Sequence, residues 1–436
     1  MKRQIFDDLK QWKLDKFRKP LILKGARQVG KTYILQAFGE ALYENVAYFN
    51  FENAPLLHAL FAEGLKPDDI IKTLAIESSI DIKPEKTLII FDEIQACPSA
   101  LNSLKYFHEL ANEYHLCAAG SLLGITLAKG QGFPVGKVDF LNLYPLSFSE
   151  FLHAMNETRI IEYLRSLTKT EPMPSILHEK ILRLFKDYMF IGGMPAVVRE
   201  YRENRDFKRV RREQTNILEA YRLDFSKHAP HSIIMKINQV WDAIPSQLAK
   251  ENKKFVYSAI RKGARAQEFE LAIQWLVEAG LIHKVYNLSA AKLPLSAYVH
   301  YDIFKIYLTD VGLLGAMAGI SAKSIIHGDE IFQEFKGAMT ENYVAQELAR
   351  LKFGLYYWTS SGAAELDFIL QYEDTIYPLE VKSGVSSKKK SLQVYIEKYH
   401  PNVAIRTSPF NLKRDDKILN CPLYMISELN RLIFFN

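Results

Sequence analysis

The stretch LILKGARQVGKTYIL, residues 21–35, decides how the first part of this chain folds. Its centre, GARQVGKT at 25–32, has the spacing G-x-x-x-x-G-K-[ST], in which two glycines let the backbone turn tightly. The apolar run Leu21–Lys24 before it predicts a strand, and the helical spacing of residues 33–43 after it predicts a helix. A chance glycine turn would not need this context. We therefore predict a phosphate-binding loop that joins a strand to a helix.

Each position of this loop has a predicted role in nucleotide binding. Gly25 and Gly30 allow main-chain N–H groups to point at phosphate oxygens. Lys31 is expected to reach the β and γ phosphates of ATP, and the Thr32 hydroxyl is expected to bind Mg²⁺. The positions that complete the loop are Ala26, Arg27, Gln28 and Val29. The loop therefore predicts ATP and Mg²⁺ as cofactors.

A second motif, TLIIFDEIQ at 87–95, places two acids at the end of an apolar strand. Asp92 is expected to hold Mg²⁺, mostly through water, and Glu93 to polarise the water that attacks the terminal phosphate. Adjacent acids repel each other in a partly desolvated crevice, and a bound cation relieves that cost. A helix N-terminus enriched in acids is the simpler alternative, and we rank it below the metal site.

Two further roles each have more than one candidate. Ser121, in AAGSLLG at 118–124, follows another short strand and either senses the γ-phosphate or caps a helix. The cation that neutralises transition-state charge is Arg27 in the loop, Lys137 before a later strand, or an arginine of another subunit. The sequence does not choose between them.

Around these motifs, strands alternate with amphipathic helices. Further strands are predicted at 46–51, 116–119 and 138–143. This rhythm implies a parallel sheet with helices on both faces. From residue 145 onward the pattern becomes helical.

The middle of the chain has the pattern of a winged helix–turn–helix. A helix that closes at Gly280 is followed by a short strand and by YVHYDIFKIYL, residues 298–308, which could supply a second strand. Arg261, Lys262 and Arg265 lie at or before the start of that helix, where they could contact a DNA backbone. The same topology often docks a protein, so both partners stay open.

Composition sets the remaining bounds. With 436 residues, 48% of them hydrophobic and 24% charged, the chain is expected to form two or three ordinary globular domains. The net charge of +6 is compatible with a nucleic-acid partner without requiring one. Cys97, Cys117 and Cys421 lie too far apart for a metal-ligand pair, which indicates incidental thiols in a reducing compartment. Neither a signal peptide nor a run of about 20 apolar residues is apparent, so a cytoplasmic protein with no membrane partner is predicted.

Five motifs in order along the chain resemble a large prokaryotic family of AAA-type ATPases. They are GARQVGKT, LIIFDEIQ, AAGSLLG, YPLSFSEF and IGGMPAVV. The resemblance covers nearly the whole chain and implies an AAA-like α/β core with an additional strand. It also implies a helical and winged-helix middle and a restriction-endonuclease-like end. Lys137 stands where the family pattern leads us to expect arginine, which weakens an arginine-sensor role at this position.

The last hundred residues contain acids and a lysine set out like a nuclease metal site. In IYPLEVK, residues 376–382, strand alternation puts Glu380 and Lys382 on one face. Asp367 lies in an earlier apolar strand, so a hairpin would let Asp367 and Glu380 meet around one divalent cation. Lys382 would then orient water or stabilise charge at the phosphorus. Glu341, on a helix predicted at 339–351, could reach the same cation.

The order Glu…Asp…Glu-x-Lys resembles the PD-(D/E)xK nuclease fold, with Leu366 where the family has proline. This resemblance implies a second Mg²⁺ or Mn²⁺ and four polar site residues, Glu341, Asp367, Glu380 and Lys382. A Glu-x-Lys pair on a strand is also a common exposed salt bridge, and a fold does not imply its activity.

We therefore expect a P-loop ATPase domain at 1–150, a helical and winged-helix-like region at 151–325, and a nuclease-like domain at 326–436. Mg²⁺-dependent ATP hydrolysis would control the last two parts, which would act on DNA. The alternative is an ATP-dependent switch or adaptor that binds a protein partner and whose last domain no longer cuts. Both readings are compatible with an oligomer.

Overall fold

The computed structural model describes residues 1–64, 66–120, 135–250, 253–327, 333–360, 364–384 and 390–433. The chain forms two compact units. The first contains residues 2–144 and 278–280, and the second contains residues 145–277 and 281–436. No helix in the described ranges is long and apolar enough to cross a bilayer.

The first unit is built on a parallel sheet. Its helices and strands are α1 (Ile5–Leu14), β1 (Leu21–Lys24), α2 (Lys31–Leu42), β2 (Asn45–Asn50), α3 (Pro55–Glu63), α4 (Pro67–Ser78), β3 (Thr87–Asp92), α5 (Pro98–Leu110), β4 (His115–Ala119) and β5 (Asp139–Asn142). Among the described residues the strand order is β2-β3-β4-β1-β5, and all neighbours are parallel. The prediction of a parallel sheet is confirmed, and β4 lies as an additional strand between β1 and β3.

Helices cover both faces of this sheet because its central strands are apolar on both sides. All six residues of β3 are buried. Ile89 faces a core that includes aromatic rings of β2, β3, α3 and α5. Leu88, the preceding residue, points to the other face, where Gly39 of α2 approaches it. The carboxyl ends of β1, β2 and β3 therefore meet at one edge of the sheet, which is where such sheets bind ligands.

The second unit begins with helices and ends with a mixed sheet. Its elements are α6 (Phe148–Ala154), α7 (Thr158–Ser166), α8 (Ser175–Ile191), α9 (Pro195–Asn204), α10 (Phe207–His228), α11 (His231–Leu248), α12 (Ala266–Glu278), β6 (Ile282–Leu288), β7 (Val299–Leu308), α13 (Val311–Met317), α14 (Ala322–His327), α15 (Gln333–Arg350), β8 (Tyr356–Thr359), β9 (Glu365–Tyr372), β10 (Thr375–Val381), α16 (Lys390–Tyr399), β11 (Ala404–Ser408), β12 (Lys413–Asp415), β13 (Ile418–Pro422) and α17 (Leu429–Leu432).

Two of the family motifs meet in this unit. Ser147 of the YPLSFSEF motif caps α6 in a capping box with Glu150. The Leu146 N–H donates to the Gly193 carbonyl at 2.7 Å, and the Gly193 N–H donates to the buried Asp310 carboxylate at 2.6 Å. A side chain at Gly193 would collide with the Leu146 carbonyl. The glycines of the IGGMPAVV motif therefore allow three segments to pack backbone against backbone.

The helix α12 is followed by the antiparallel hairpin β6–β7, whose two strands were predicted after Gly280. The hairpin does not stand alone, however. Strand β6 also pairs in parallel with β8, from Tyr286↔Tyr356 to Leu288↔Trp358. Among the described residues the sheet has the order β12-β13-β11-β10-β9-β8-β6-β7. Residue 325, where a domain boundary was predicted, lies inside the second unit, and one sheet joins strands from both sides of it.

Candidate functional site

The loop GARQVGKT lies between β1 and α2 and has the backbone that its glycines allow. Gly25 has φ 150°, and a side chain there would collide with the Leu143 carbonyl. Gly30 precedes the first residue of α2 with φ 93°, in the left-handed region. Both positions therefore require glycine. The N-terminus of α2 points its free N–H groups toward this loop.

Lys31 is buried at the first position of α2. Its Nζ donates to the carbonyl oxygens of Gly25 and Ala26, each at 2.9 Å. The ammonium therefore lies over the loop that the glycines shape. Arg27 is half-buried in the same loop, and Gln28 is exposed with φ 67°.

Asp92 is the centre of a hydrogen-bond network at the end of β3. Its Oδ2 accepts from the Thr32 hydroxyl at 2.7 Å and from the Tyr48 hydroxyl at 2.8 Å, and its Oδ1 accepts from the Glu93 N–H at 3.1 Å. Burial, together with the bond to Asp92, raises the pKa of Tyr48 to about 12. Asn50 donates to the Tyr48 hydroxyl at 3.3 Å. The loop and the acidic strand end are thus joined directly.

Sequence reasoning missed Tyr48 and Asn50. Strand β2 pairs with β3 so that Asn50 lies opposite Asp92. The signal was available in part, because an additional strand between β1 and β3 leaves β2 as the neighbour of β3. Polar residues at the end of β2 are therefore candidates for contacting the acids at the end of β3.

The N-terminal residue Arg3 was also missed. The residue is 6% exposed, and its guanidinium donates to the Val29 carbonyl at 3.1 Å and to the Tyr144 carbonyl at 2.5 Å. One side chain therefore links the phosphate-binding loop to the last residue before the helical part of the chain. Nothing in the local spacing of residues 1–5 indicates this contact.

Glu93 follows Asp92 in the left-handed region, with φ 49° and ψ 41°. Non-glycine residues rarely adopt this conformation, and strain of this kind clusters at functional sites. The Gln95 side-chain amide donates to Glu93 Oε2 at 2.5 Å. The carboxylate proposed to act on water is therefore held in one orientation by its neighbour.

The other predicted residues of the nucleotide site differ in outcome. Ser121 lies outside the described residues. Lys137 pairs with Glu109 of α5 at 3.0 Å, and the Lys137 ammonium lowers the pKa of the Glu109 carboxyl. A basic residue that acts at the phosphates must give up such a pairing.

The donor set around Asp92 suits Mg²⁺, which prefers oxygen ligands and usually keeps several waters and substrate phosphates. Thr32 and Asp92 supply a hydroxyl and a carboxylate within 2.7 Å of each other. In the described part of the chain, no group of three His, Cys, Asp or Glu residues could hold a metal ion by itself. A cation here would thus depend on phosphate oxygens, as in nucleotide-bound Mg²⁺.

The C-terminal acids lie on adjoining elements of the second unit, but each has a protein partner. Glu341 of α15 is 7% exposed, its Oε2 accepts from the Tyr307 hydroxyl at 2.9 Å, and its Oε1 pairs with the Lys253 ammonium. Burial opposes ionisation of Glu341, but Lys253 and Lys305 outweigh it and hold the pKa of Glu341 below its usual range. This carboxylate is ionised and already neutralised.

Lys305 of β7 is the second internal cation. It is completely buried, and its Nζ pairs with Glu365 Oε1 at 2.5 Å. Burial lowers the pKa of Lys305, yet Glu341, Glu365 and Asp367 outweigh that effect and raise it to about 12. Lys305 is therefore a permanent positive charge among three carboxylates.

Asp367 and Glu380 lie next to each other in the β9–β10 hairpin. Asp367 Oδ2 accepts from the Val381 N–H at 2.7 Å. Burial and the nearby Glu341 carboxylate raise the pKa of Asp367 to about 7. Glu380 is 3% exposed and pairs with Lys382 at 2.9 Å, with the Arg406 guanidinium 3.8 Å from its other oxygen.

These contacts do not support the predicted second metal at Asp367 and Glu380. In the described residues, no group of three His, Cys, Asp or Glu residues could hold a metal ion. Lys253 and Lys305 also supply positive charge beside Glu341 and Asp367, as a divalent cation would. Sequence reasoning missed both lysines. They lie 88 and 36 positions before Glu341, and only the fold brings them to it.

The basic residues predicted to face DNA are partly neutralised. The Arg261 guanidinium pairs with Glu268, and the Arg265 N–H donates to Glu268 at 3.2 Å. Lys262 is exposed beside them. The start of α12 is therefore less basic than its sequence indicates.

Residues 17–152 match the family model described as AAA domain. Over this segment, which contains the glycine loop and the parallel sheet, the chain is similar to AAA domains. Two further models, described as domains of unknown function (DUF8612 and DUF4143), match residues 182–324 and 336–425. The description of the family that matches residues 336–425 does not mention a nuclease.

A curated relative from Haemophilus influenzae, described as an uncharacterized protein, is 23% identical over 189 residues, or 41% of this chain. The match spans 40% of the length of that relative. Among solved structures, the Walker-type ATPase of Pyrococcus abyssi has 14% identity and a TM-score of 0.45, covering 73% of this chain and 95% of that one. The ORC1 protein of Aeropyrum pernix in complex with DNA has 13% identity and a TM-score of 0.28, covering 73% and 91%. The AMPPCP-bound DnaA of Aquifex aeolicus has 15% identity and a TM-score of 0.25, covering 63% and 88%.

Proposed function

We propose that the AAA domain binds ATP with Mg²⁺ and hydrolyses it. The observation that carries this proposal is the 2.7 Å hydrogen bond from Thr32 to Asp92, because it joins the end of the loop motif to the end of β3. A hydroxyl and a carboxylate in contact are the protein ligands that nucleotide-bound Mg²⁺ uses. Bound Mg²⁺ would neutralise charge that develops on the phosphates.

The other loop groups would bind and orient the phosphates. The main-chain N–H groups of residues 25–30 would donate to phosphate oxygens. Lys31 would exchange the carbonyl oxygens of Gly25 and Ala26 for oxygens of the β and γ phosphates, since a charge-assisted bond to an anion is stronger. Glu93 would polarise the attacking water, and Ser121 would contact the γ-phosphate.

Phosphate release from ATP by the full chain tests the proposal. We expect Lys31→Ala to weaken ATP binding and Glu93→Gln to retain binding while turnover falls by about 10²–10⁴-fold. Lys72→Ala, an exposed lysine of α4, is the matched control and should behave as wild type. Equal turnover in the wild type and both site variants would overturn the ATPase assignment.

For the second unit, we propose a nucleotide-controlled adaptor that binds a protein partner and does not cut nucleic acid. Two observations support it. Lys253 and Lys305 neutralise the acids that a nuclease would use to hold a metal, and Glu268 neutralises Arg261 at the start of α12. The competing proposal is action on DNA through Lys262, Arg265 and the C-terminal constellation.

Incubation of supercoiled plasmid with the full chain, ATP and either Mg²⁺ or Mn²⁺ separates the two. The adaptor proposal expects the plasmid to remain intact with wild type and with Lys382→Ala alike. Metal-dependent nicking by wild type that Lys382→Ala abolishes would overturn it in favour of a nuclease. Retarded migration of a DNA duplex that Lys262→Ala weakens would instead favour a DNA-binding unit without cleavage.

A further inference from the structure

The contact between Glu93 and Gln95 is built into a short turn. Gln95 Nε2 lies 2.5 Å from Glu93 Oε2. The residue between them, Ile94, is completely buried and anchors the turn in the core. The Ala96 N–H donates to the Glu93 carbonyl at 3.0 Å, so the main chain also fixes where the two side chains begin. Both side chains therefore extend from a turn that a buried residue and a main-chain hydrogen bond hold in place.

The orientation of the Gln95 amide follows from charge. Its N–H₂ end faces the carboxylate, because the carbonyl end would repel it. Gln95 Oε1 is buried without a hydrogen-bond partner in the described residues. A buried, unpaired carbonyl oxygen is costly, and an apolar side chain would avoid that cost. Stability alone therefore does not explain an amide at this position.

The backbone conformation of Glu93 also restricts where its carboxylate can lie. A left-handed conformation at a non-glycine residue is strained, and here it lies directly after Asp92. This conformation and the Gln95 amide together restrict the carboxylate to one direction. A general base gains from such restriction, since misplacement by about 1 Å can cost roughly 10²-fold in rate.

We propose that Gln95 is a positioning residue for Glu93, holding one carboxylate oxygen so that the other can accept a proton from the attacking water. This inference rests on the proposed ATP hydrolysis. In that reaction the water oxygen forms a bond to the γ-phosphorus while the bond from that phosphorus to the β–γ bridging oxygen breaks. ADP leaves with the bonding electron pair, and the water proton passes to Glu93 and then to solvent.

Steady-state hydrolysis and nucleotide binding of the full chain test the role. Gln95→Ala is expected to lower kcat by about 10–100-fold while the Kd for ATP changes less than about twofold, since the residue acts on the base and not on the phosphates. Gln95→Glu is expected to place a second carboxylate beside Glu93. Repulsion would then displace the Glu93 carboxylate and lower kcat at least as far as in Gln95→Ala, while the Kd for ATP again changes less than about twofold, a split that a merely structural residue would not produce. Gln11→Ala, an exposed glutamine of α1, is the control.

The outcomes separate this inference from the function on which it rests. Wild-type hydrolysis that Glu93→Gln abolishes and Gln95→Ala leaves unchanged, or accelerates, would overturn the role of Gln95 alone. An equal loss of kcat and of ATP affinity in Gln95→Ala would also overturn it, because the residue would then maintain the whole site. No hydrolysis by wild type would remove the proposed function and this role with it.

Discussion

At the residue scale, single polar side chains determine how the nucleotide loop is held. Arg3 bonds the carbonyl oxygens of Val29 and Tyr144, which are 115 positions apart in the chain. A planar guanidinium can donate to two acceptors in a fixed fork, and a lysine ammonium is a poorer replacement. The loop thus depends on a residue that lies 22 positions before it.

We predict that Arg3→Ala lowers the free energy of unfolding of the first unit by about 1–3 kcal/mol, because it removes two hydrogen bonds, one of them buried. Binding of ATP should weaken in the same variant, and Arg3→Lys should lie between it and wild type. Denaturant unfolding and a nucleotide titration measure the two effects. Lys2→Ala, an exposed neighbour, should change neither. Wild-type stability and affinity in Arg3→Ala would show that the loop keeps its conformation without Arg3.

Asp367 gives a second prediction, on pH. Its pKa is raised from 3.8 to about 7, so the folded chain binds this proton more tightly than the unfolded chain does. Stability from this group is therefore present at low pH and is lost as pH rises from about 4 to about 7. Asp367→Asn removes the titration, and its amide oxygen can still accept from the Val381 N–H.

We expect the free energy of unfolding of Asp367→Asn, relative to that of wild type, to increase by about 1–3 kcal/mol between pH 5 and pH 8. This is part of the total change expected from the pKa shift, because the interval covers only part of the pH range over which the stability is lost. Chemical denaturation at a series of pH values measures this difference. The control is Asp374→Asn in the exposed β9–β10 turn. The stability of this variant should depend on pH in the same way as that of wild type. A difference that does not change with pH would contradict the raised pKa.

At the scale of elements, the sequence predicted the sheet of the first unit well. Strands β1, β3 and β4 are short apolar runs covered on both faces, and burial of this kind leaves a pattern that local sequence carries. The phosphate-binding loop was equally predictable, because glycine, lysine and threonine act there at fixed spacing. Asn50 and Tyr48 were not, since their role depends on which strand lies beside β3.

The junction of the IGGMPAVV motif with residues 146 and 310 is an element-scale feature that we expect to be sensitive. Gly193→Ala should destabilise the second unit by about 1–3 kcal/mol or more, since the new methyl group meets the Leu146 carbonyl and the backbones must separate. Gly337→Ala in α15 meets nothing within 4 Å and should stabilise its helix by about 1 kcal/mol. Thermal unfolding of both variants measures the contrast. Equal melting temperatures would show that the junction can relax.

At the scale of the whole molecule, the sequence did not predict which distant strands pair in the large sheet of the second unit. The sequence predicted β6 and β7 as strands of a winged helix–turn–helix, yet β8 also pairs with β6, and 67 residues separate Leu288 of β6 from Tyr356 of β8. Loop closure over such a distance leaves no local pattern. The same pairing brings Lys305 to Glu365 and Asp367, so the charge balance of the C-terminal acids was equally invisible. The fold therefore decides which cations neutralise these acids.

The final prediction concerns the response of the intact chain to nucleotide. A ligand that binds only the folded state stabilises it by RT ln(1 + [L]/Kd), about 2.7 kcal/mol at 100 times Kd. We therefore expect ATP with Mg²⁺ to raise the melting temperature of the first unit by several degrees, measured by calorimetry on Glu93→Gln so that ATP persists. EDTA should remove most of the shift, because Thr32 and Asp92 would contact the phosphates only through the cation, and the Asp92 carboxylate repels them without it. Lys31→Ala should show little shift at the same ATP concentration. A shift that EDTA leaves intact would contradict the magnesium site, and no shift at any ATP concentration would contradict nucleotide binding itself.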